Sequence, residues 1–261
     1  ILVNNVETEV VAALISSKFA DEIIVVDTGS TENTLSVCRK YGARIVHSTG
    51  NSFSKWRNDG AEEAKGEWLL YLDSDERITT RLSQEITKEI QFPSHQAYTI
   101  SRYEIFLGKH LNHWGDPRVL RLIKKDALVK WQGKLHEQPK INGSVGLLKQ
   151  LMLHLSHKNI DEKLPNTLVW SKTEAELLFK NNHPPMVWWR FLRIMFTEFW
   201  DRCIKQGLWK DGTEGWIEII YQVFSRFITY ERLWEMQRTP SLSKTYQQID
   251  QEIIKEWKQL E

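Results

Sequence analysis

Cysteine is scarce in this chain, which has 261 residues and only two cysteines, Cys38 and Cys203. Two cysteines exclude a disulfide framework for a protein of this size, and they lack the close spacing of a zinc site. We therefore expect the protein to work in a reducing compartment, the cytoplasm.

A dominant sign of charge is also missing, since 35 basic residues face 34 acidic ones and the formal net charge is +1. A surface balanced in this way does not attract nucleic acid, so no nucleic-acid partner is expected. Long apolar runs are missing as well. Arg190, Arg193 and Glu198 interrupt the best candidate, residues 186–200, before it reaches the roughly 18 residues of a spanning helix.

Strand and helix signals alternate through the first hundred residues. Apolar side chains at helical spacing alternate with short apolar runs bounded by polar residues, which predicts a parallel sheet covered on both faces. The predicted elements are a helix at 10–19, strand 22–27, helix 32–41, strand 43–47, a helix capped near Ser54, and strand 67–72. Ile1-Leu2-Val3 resembles the end of a strand, so we expect the true N-terminus to lie upstream.

The pattern of apolar residues changes after residue 96. Residues 98–106, 118–123 and 147–155 alternate or run apolar with no helix between them, which indicates antiparallel or mixed strands. Helices follow Pro165, at about 166–180, 186–205 and 213–232, and this region holds eight of the twelve tryptophans. We predict an α/β catalytic domain at 1–160 and a helical, Trp-rich region at 161–261.

Two carboxylates follow the predicted strand that ends near Leu72. Asp73 and Asp75 stand two residues apart, and strand alternation would direct both side chains to one ligand at the carboxyl edge of the sheet. Carboxylates in this position suit a Mg²⁺ or Mn²⁺ ion whose remaining ligands are phosphate oxygens. The alternative is that both residues serve only as turn formers or helix caps.

A second acidic strand end stands at Asp27, followed by Thr28-Gly29-Ser30. Asp27 could accept hydrogen bonds from a ribose or a base, Gly29 permits a tight turn, and the next helix N-terminus favours a phosphate. Together with Asp73 and Asp75, this edge predicts a nucleotide pocket with a metal. Alone, Asp27 to Ser30 would be read as an ordinary strand-to-helix turn.

Three segments carry a resemblance to a known family, namely DEIIVVDTGST at 21–31, FSKWRNDGA at 53–61 and AKGEWLLYLDSDER at 64–77. They resemble family 2 glycosyltransferases of the GT-A fold. Further motifs resemble the bacterial branch that includes lipopolysaccharide inner-core glucosyltransferases; these are FLGK at 106–109, RVLRL at 118–122, HE at 136–137, a late histidine motif around His154, and GLWKDGTEG at 207–215.

The resemblance implies a GT-A fold, with a Rossmann-like nucleotide-binding sheet that continues into a mixed sheet and a C-terminal helical appendage. It implies an inverting transferase that uses a UDP-hexose, with Mg²⁺ or Mn²⁺, and a glycan or lipid-linked acceptor of the cell envelope. By the same analogy Asp27 binds the uridine, Asp73 the ribose or the metal, and Asp75 the cation. The family's Asn-Glu pair after the first strand is here interrupted, as Asn5-Val6-Glu7. By the resemblance Asn5 and Glu7 are candidates for nucleotide-sugar binding, and Glu7 either replaces the family's Glu in its contact or does not.

Glu137 is the first candidate for the base that takes the acceptor's proton, and Asp116 is its rival. An inverting mechanism would place Glu137 across the pocket from Asp75. Glu137 could instead be a solvated loop carboxylate. His154 is either a core histidine or, by the resemblance, a third metal ligand, and Arg57 either pairs with a phosphate or forms a surface ion pair.

The apolar and aromatic residues of 186–200, with Arg190, Arg193 and Arg202, fit two interpretations. One is an amphipathic helix lying in a membrane interface, on the inner face of the cytoplasmic membrane. The other is a helix packed on the catalytic domain or in a homodimer.

Two other functions stay open at this point. A sugar-nucleotide pyrophosphorylase would need a Gly-rich signature after the first strand, and residues 4–7 contain no glycine. A non-catalytic carbohydrate-binding or scaffold protein could keep the fold and the tryptophans. It would not need Asp73, Asp75 and Glu137, which are all present.

Overall fold

The computed structural model describes residues 1–31, 33–50, 52–133 and 137–259. The chain divides into two compact units, Ile1–Lys158 and Asn159–Glu261. In the residues that the structure describes, the first unit contains a three-stranded sheet, a six-stranded sheet and a two-stranded hairpin, together with their helices, and the second unit is helical.

The first unit opens with alternating strands and helices. They are β1 (Leu2–Val3), α1 (Glu9–Ser16), β2 (Ile24–Asp27), α2 (Thr34–Lys40), β3 (Arg44–His47), α3 (Phe53–Glu63) and β4 (Trp68–Leu70). Strands β1, β2 and β3 pair in that order and are parallel, as the alternating pattern predicted. A parallel bridge between Leu2 and Asp73 joins the chain after β4 to the other side of β1.

Local chemistry explains where these elements begin and end. The Ser52 hydroxyl accepts a hydrogen bond from the Lys55 amide at 3.2 Å and caps α3, two residues before the cap predicted near Ser54. Strand β4 ends at Leu70, earlier than the predicted strand 67–72. Asp75 consequently lies in a turn, where the side-chain alternation of a strand no longer applies.

The second sheet is mixed. After β4 the chain continues through β5 (Glu76–Ile78), α4 (Thr80–Glu89), β6 (Ala97–Phe106), β7 (Lys109–His110), β8 (Arg118–Lys124), β9 (Leu128–Gln132), β10 (Gln138–Ile141) and β11 (Val145–Ser156). The strand order is β4-β8-β6-β11-β5, with β7 on β6 and with β9 and β10 as a separate hairpin. Strand β11 runs parallel to β6, and the other neighbours are antiparallel.

The main core of this unit lies against the second sheet. Its buried residues include Ala13, Leu72, Leu82, Ile86, Ile100, Leu122 and Met152. Helix α4 contributes Leu82 and Ile86 at helical spacing, and Thr79 caps it by accepting from the Leu82 amide. Neither α4 nor β5 was among the elements predicted from the sequence, although both have a local pattern.

The second unit consists of α5 (Ile160–Lys180), α6 (Trp188–Trp200), α7 (Gly212–Gln237) and α8 (Leu242–Lys258). The prediction that the first of these helices begins after Pro165 was wrong. The Asn159 side chain accepts from the Glu162 amide at 2.9 Å and starts α5 upstream, so Pro165 lies inside the helix. Within the described residues, no helix has the length and apolar character needed to cross a membrane.

These observations confirm the expected fold class, an α/β unit whose parallel sheet continues into a mixed sheet, with helices at the C-terminal end.

Candidate active site

Asp27 and Asp73 lie at the same edge of the sheet, on opposite sides of β1. Asp27 is in register with Val3, and Asp73 is in register with Leu2. Two strand spacings of about 4.8 Å separate their backbones, so the two acidic strand ends are about 10 Å apart. The sequence patterns therefore correctly predicted that Asp27 and Asp73 lie at the same edge of the sheet.

The Asp27 carboxylate is buried and already oriented. One oxygen accepts from the Ser30 amide at 2.9 Å, and the other lies 3.1 Å from Nδ1 of His47. Burial by itself would raise the pKa of Asp27, but the hydrogen bonds from Ser30 and His47 hold it below its ordinary value. Asp27 is thus a fixed, ionised acceptor.

Asn5 fastens the loop that follows Asp27. Its side-chain oxygen accepts a hydrogen bond from the backbone amide of Thr31 at 2.8 Å, and its backbone amide donates to the Ser30 hydroxyl at 3.2 Å. Gly29 has φ +112°, a conformation that a side chain would strain. Asn5 therefore shapes the turn. The other residue of the interrupted pair, Glu7, is half-buried and lies two residues before the start of α1.

Asp73 is held by two arginines. Its oxygens accept from Nη2 of Arg57 at 2.9 and 3.2 Å and from Nη2 of Arg121 at 2.5 Å. Burial opposes ionisation, but Arg121 and then Arg57 hold the pKa of Asp73 well below its usual range. Both oxygens are engaged by guanidiniums, so this carboxylate differs from the bare metal ligand that the sequence suggested.

Arg57 joins Asp73 to the predicted base. Its Nε lies 3.0 Å from Glu137, and its guanidinium lies over the rings of Tyr71 and Trp131 at 5.9 and 5.0 Å. The side chain is only 3% exposed, so the surface ion pair considered from the sequence was wrong. The next residue, Asn58, bonds both backbone groups of Trp131 and holds β9 against α3.

Asp75 pairs with His154 instead. Its carboxylate lies 3.3 Å from Nε2 of His154, and Nδ1 of the same ring lies 2.5 Å from Glu104, which is 1% exposed. Burial would lower the pKa of His154, but Asp75 and Glu104 together raise it to about 10. The backbone dictates this meeting, because His154 is in register with Glu104 on β6 and with Glu76 on β5.

Because the raised pKa keeps His154 protonated at neutral pH, a cation would bind this pair by displacing the Nε2 proton. The Asp75–His154 pair would then offer the cation one oxygen and one nitrogen donor. In the described part of the chain, no group of three or more His, Cys, Asp or Glu side chains is arranged to hold a metal. Two protein donors nevertheless fit an ion that takes its other ligands from substrate phosphates and water. The carboxylate suits Mg²⁺ and Mn²⁺ alike, whereas the imidazole is a poor ligand for Mg²⁺, which takes oxygen ligands.

The two candidate bases differ in their surroundings. Asp116 is exposed, and Arg118 binds both of its oxygens and lowers its pKa to about 2. Glu137 is largely buried beside Arg57. The motif partner His136 lies outside the described residues.

Three polar residues of the site escaped the sequence analysis: Glu104, Arg121 and His47. Glu104 and Arg121 are buried charges in the middle of apolar strands, and Arg121 also bonds Glu76 at 2.7 Å. A charge inside an apolar strand signals a paired or functional group, and this signal was present in the sequence.

Comparison with known proteins shows which family this chain belongs to. Residues 8–143 match the model of the family described as glycosyl transferase family 2. An uncharacterized glycosyltransferase of Rickettsia conorii is 24% identical over 90% of this chain and 88% of its own. The lipopolysaccharide core biosynthesis glycosyltransferase LpsC of Rhizobium meliloti is 25% identical over 82% of this chain and 83% of its own.

Among solved structures, S. aureus TarS 1–349 in complex with UDP-GlcNAc aligns with a TM-score of 0.49 and 13% identity, over 95% of this chain and 90% of that one.

The family match covers more than half of the chain, and the chain belongs to glycosyl transferase family 2. It is a glycosyltransferase, and the GT-A fold expected from the resemblance is confirmed.

Proposed function

We propose that the protein transfers a hexose from a UDP-sugar to a hydroxyl of a glycan or lipid-linked acceptor, with inversion and with a divalent cation. One observation carries the proposal: Asp27 and Asp73 lie on either side of β1 at the carboxyl end of the parallel strands, and Asp75, two residues after Asp73, pairs with His154. Ligands of open α/β folds bind at this edge.

In this proposal Asp27 and its loop bind the nucleoside. The ionised carboxylate accepts from the uracil or ribose, and Gly29 keeps side-chain bulk away from the donor. Because Ser30 and Asn5 already hold the loop, binding orders few new groups, which favours affinity.

Asp75 and His154 would hold Mg²⁺ or Mn²⁺, and Mn²⁺ suits the imidazole better. When bound, the cation stabilises the negative charge that develops on the leaving diphosphate. Asp73 is not proposed as a ligand, since two guanidiniums hold its oxygens. It serves to position Arg57 and Arg121 beneath the donor site.

Glu137 is the better candidate for the base. Both oxygens of the exposed Asp116 accept hydrogen bonds from Arg118, whereas Arg57 binds Glu137 through the single oxygen Oε1. Glu137 is in addition sheltered from solvent and held in place by Arg57. We assign Asp116 to the positioning of Arg118.

The acceptor class follows from similarity. LpsC, named for lipopolysaccharide core biosynthesis, aligns with most of this chain. We propose an envelope glycan or lipid-linked acceptor, met at the cytoplasmic face of the membrane. The competing interpretation is a scaffold of the same fold that binds a sugar nucleotide without turnover.

A screen of UDP-hexoses for slow hydrolysis tests the proposal without knowledge of the acceptor. We expect one UDP-hexose to release UDP in the presence of Mn²⁺, and EDTA to stop the release. A thermal shift with UDP plus Mn²⁺, but with no hydrolysis of any UDP-hexose and no transfer to extracted envelope lipid, would support the scaffold. The absence of any UDP-dependent shift would contradict both interpretations.

A further inference from the structure

Helix α6 exposes a broad apolar face. None of its residues is buried, and Trp188 is 74% exposed, Leu192 60% and Phe196 63%. Trp189 and Trp200 are exposed at neighbouring angles on the same helix. Residues at this spacing lie on one side of a helix, so the exposure forms a continuous stripe.

Helix α7 extends this stripe into a surface. It packs against α6 through ring contacts of Phe191 with Phe227 at 5.9 Å and of Phe199 with Trp216 at 6.3 Å. Beside this seam α7 exposes large apolar side chains of its own, namely Trp216, Ile217, Ile220, Phe224 and Phe227. We call the exposed residues of both helices the α6–α7 face. An apolar surface of this extent on a folded protein marks an interaction site.

Two arginines border this face. The guanidiniums of Arg190 and Arg193 lie over the Trp189 ring at 5.0 and 5.9 Å. Neither forms an ion pair with a carboxylate in the described part of the chain. The acidic residue of the same helix, Glu198, is engaged elsewhere, by Arg202 at 2.9 Å and by Arg226 at 3.3 Å.

We propose that the α6–α7 face docks the protein on an anionic lipid bilayer. Indole rings favour the headgroup region, aliphatic and phenyl side chains insert just below it, and the two arginines meet lipid phosphates. The helices lie along the surface, because the apolar residues occupy one side of each. This inference does not depend on the transfer chemistry.

Charge distinguishes the bilayer from a second copy of the chain. A two-fold dimer through this face would bring the arginines of both copies together, and the face itself offers them no acidic residue from α6. An anionic membrane supplies the missing negative charge over the whole surface.

Sedimentation of the full chain with vesicles tests the proposal. We expect binding to vesicles of phosphatidylcholine mixed with phosphatidylglycerol, and weakening as salt is added. Trp188→Ser with Trp189→Ser should lower the partition coefficient by about 10-fold or more. Arg190→Gln with Arg193→Gln should lower it by about fivefold for each guanidinium on anionic vesicles, and little on phosphatidylcholine alone.

Matched controls keep the result specific. Arg39→Gln with Arg81→Gln removes the same charge from exposed sites in the first unit, and Phe92→Ser removes an aromatic ring that is 87% exposed. Both should bind like the unaltered chain. The proposal is overturned if the unaltered chain ignores anionic vesicles at low salt, if the control arginines matter as much, or if light scattering shows a dimer that the tryptophan variant dissociates.

Discussion

Arg57 shows how burial decides what a charged residue does. Its guanidinium lies between Asp73 and Glu137 and over two aromatic rings. From the sequence, Arg57 stands in a polar stretch, which indicated a phosphate contact or a surface ion pair. Arg57 is buried because Asn58 holds β9 against α3, and β9 lies more than seventy residues further along the chain. Local sequence carries no record of that contact.

Glu104 is predicted to set the orientation of His154. Its carboxylate binds Nδ1 of the ring and leaves Nε2 directed toward Asp75. Carboxylates in this position tune metal-bound histidines, so Glu104→Ala should weaken Mn²⁺ binding by about 10- to 100-fold. Glu104→Gln, which keeps a hydrogen-bond acceptor, should restore part of the affinity.

Calorimetry of Mn²⁺ in the presence of UDP measures this effect, and the electron spin echo of bound Mn²⁺ reports the imidazole nitrogen directly. Loss of the nitrogen signal in Glu104→Ala is the expected result. An unchanged affinity and an unchanged nitrogen signal would show that Glu104 only fills the core.

Glu137→Gln should lower the rate of sugar transfer by at least about 10²-fold with little change in donor affinity, because the amide keeps the shape but cannot accept a proton. Asp116→Asn should have a smaller effect, since Arg118 already suppresses the basicity of that carboxylate. Steady-state kinetics of both variants provides the measurement. If Asp116→Asn is the more damaging change, the role of the base passes to Asp116.

At the scale of elements, strands and helices with strong local patterns were the predictable ones. The buried valines of β2 and the turn residues after it fixed that strand to within two residues, as Ile24–Asp27 against the predicted 22–27. Helix α5 was misplaced because Pro165 was weighed more heavily than the Asn159 cap. The parallel pairing of β11 with β6 joins distant parts of the chain. The sequence pattern predicted antiparallel or mixed strands in this region but not which strands pair.

The turn between β2 and α2 is predicted to need glycine at position 29. Nothing lies within 4 Å of a Cβ added at Gly29, so Gly29→Ala meets only the strain of φ +112°. We expect a loss of about 1–3 kcal/mol in unfolding free energy and weaker UDP binding. Gly66→Ala is the matched control, because its Cβ would make only an ordinary contact of 3.5 Å.

Urea unfolding of the two glycine variants, followed by circular dichroism, checks this prediction. Equal midpoints for Gly29→Ala and Gly66→Ala would mean that the turn tolerates a side chain and that the strain argument is wrong.

At the scale of the molecule, charged pairs tie together the elements around the site. Asp73 binds Arg57 of α3 and Arg121 of β8, and Arg121 continues to Glu76 of β5. The sequence showed the acidic strand ends and, through the resemblance, the candidate bases. It did not show which arginine meets which carboxylate, because that depends on strand order and register across both sheets.

Arg121→Met should therefore destabilise the fold strongly. Removing this buried guanidinium leaves Asp73 with Arg57 alone and takes from the buried Glu76 its close partner, since Arg102 lies 3.9 Å away. Breaking buried pairs of this kind costs about 3–5 kcal/mol. Arg118→Met, three residues away and exposed, should leave the unfolding midpoint nearly unchanged. Urea titration of both variants measures the difference, and similar midpoints would contradict the central place given to Arg121.

The proposed cation site is tested by the affinity for UDP with and without Mn²⁺, measured by calorimetry on the unaltered chain and on Asp75→Asn. We expect Mn²⁺ to tighten UDP binding to the unaltered chain. We expect Asp75→Asn to lose this gain and to keep its metal-free affinity, because the amide preserves size but not charge. If Mn²⁺ tightens UDP binding equally in both proteins, Asp75 does not hold the cation and the proposed site is wrong.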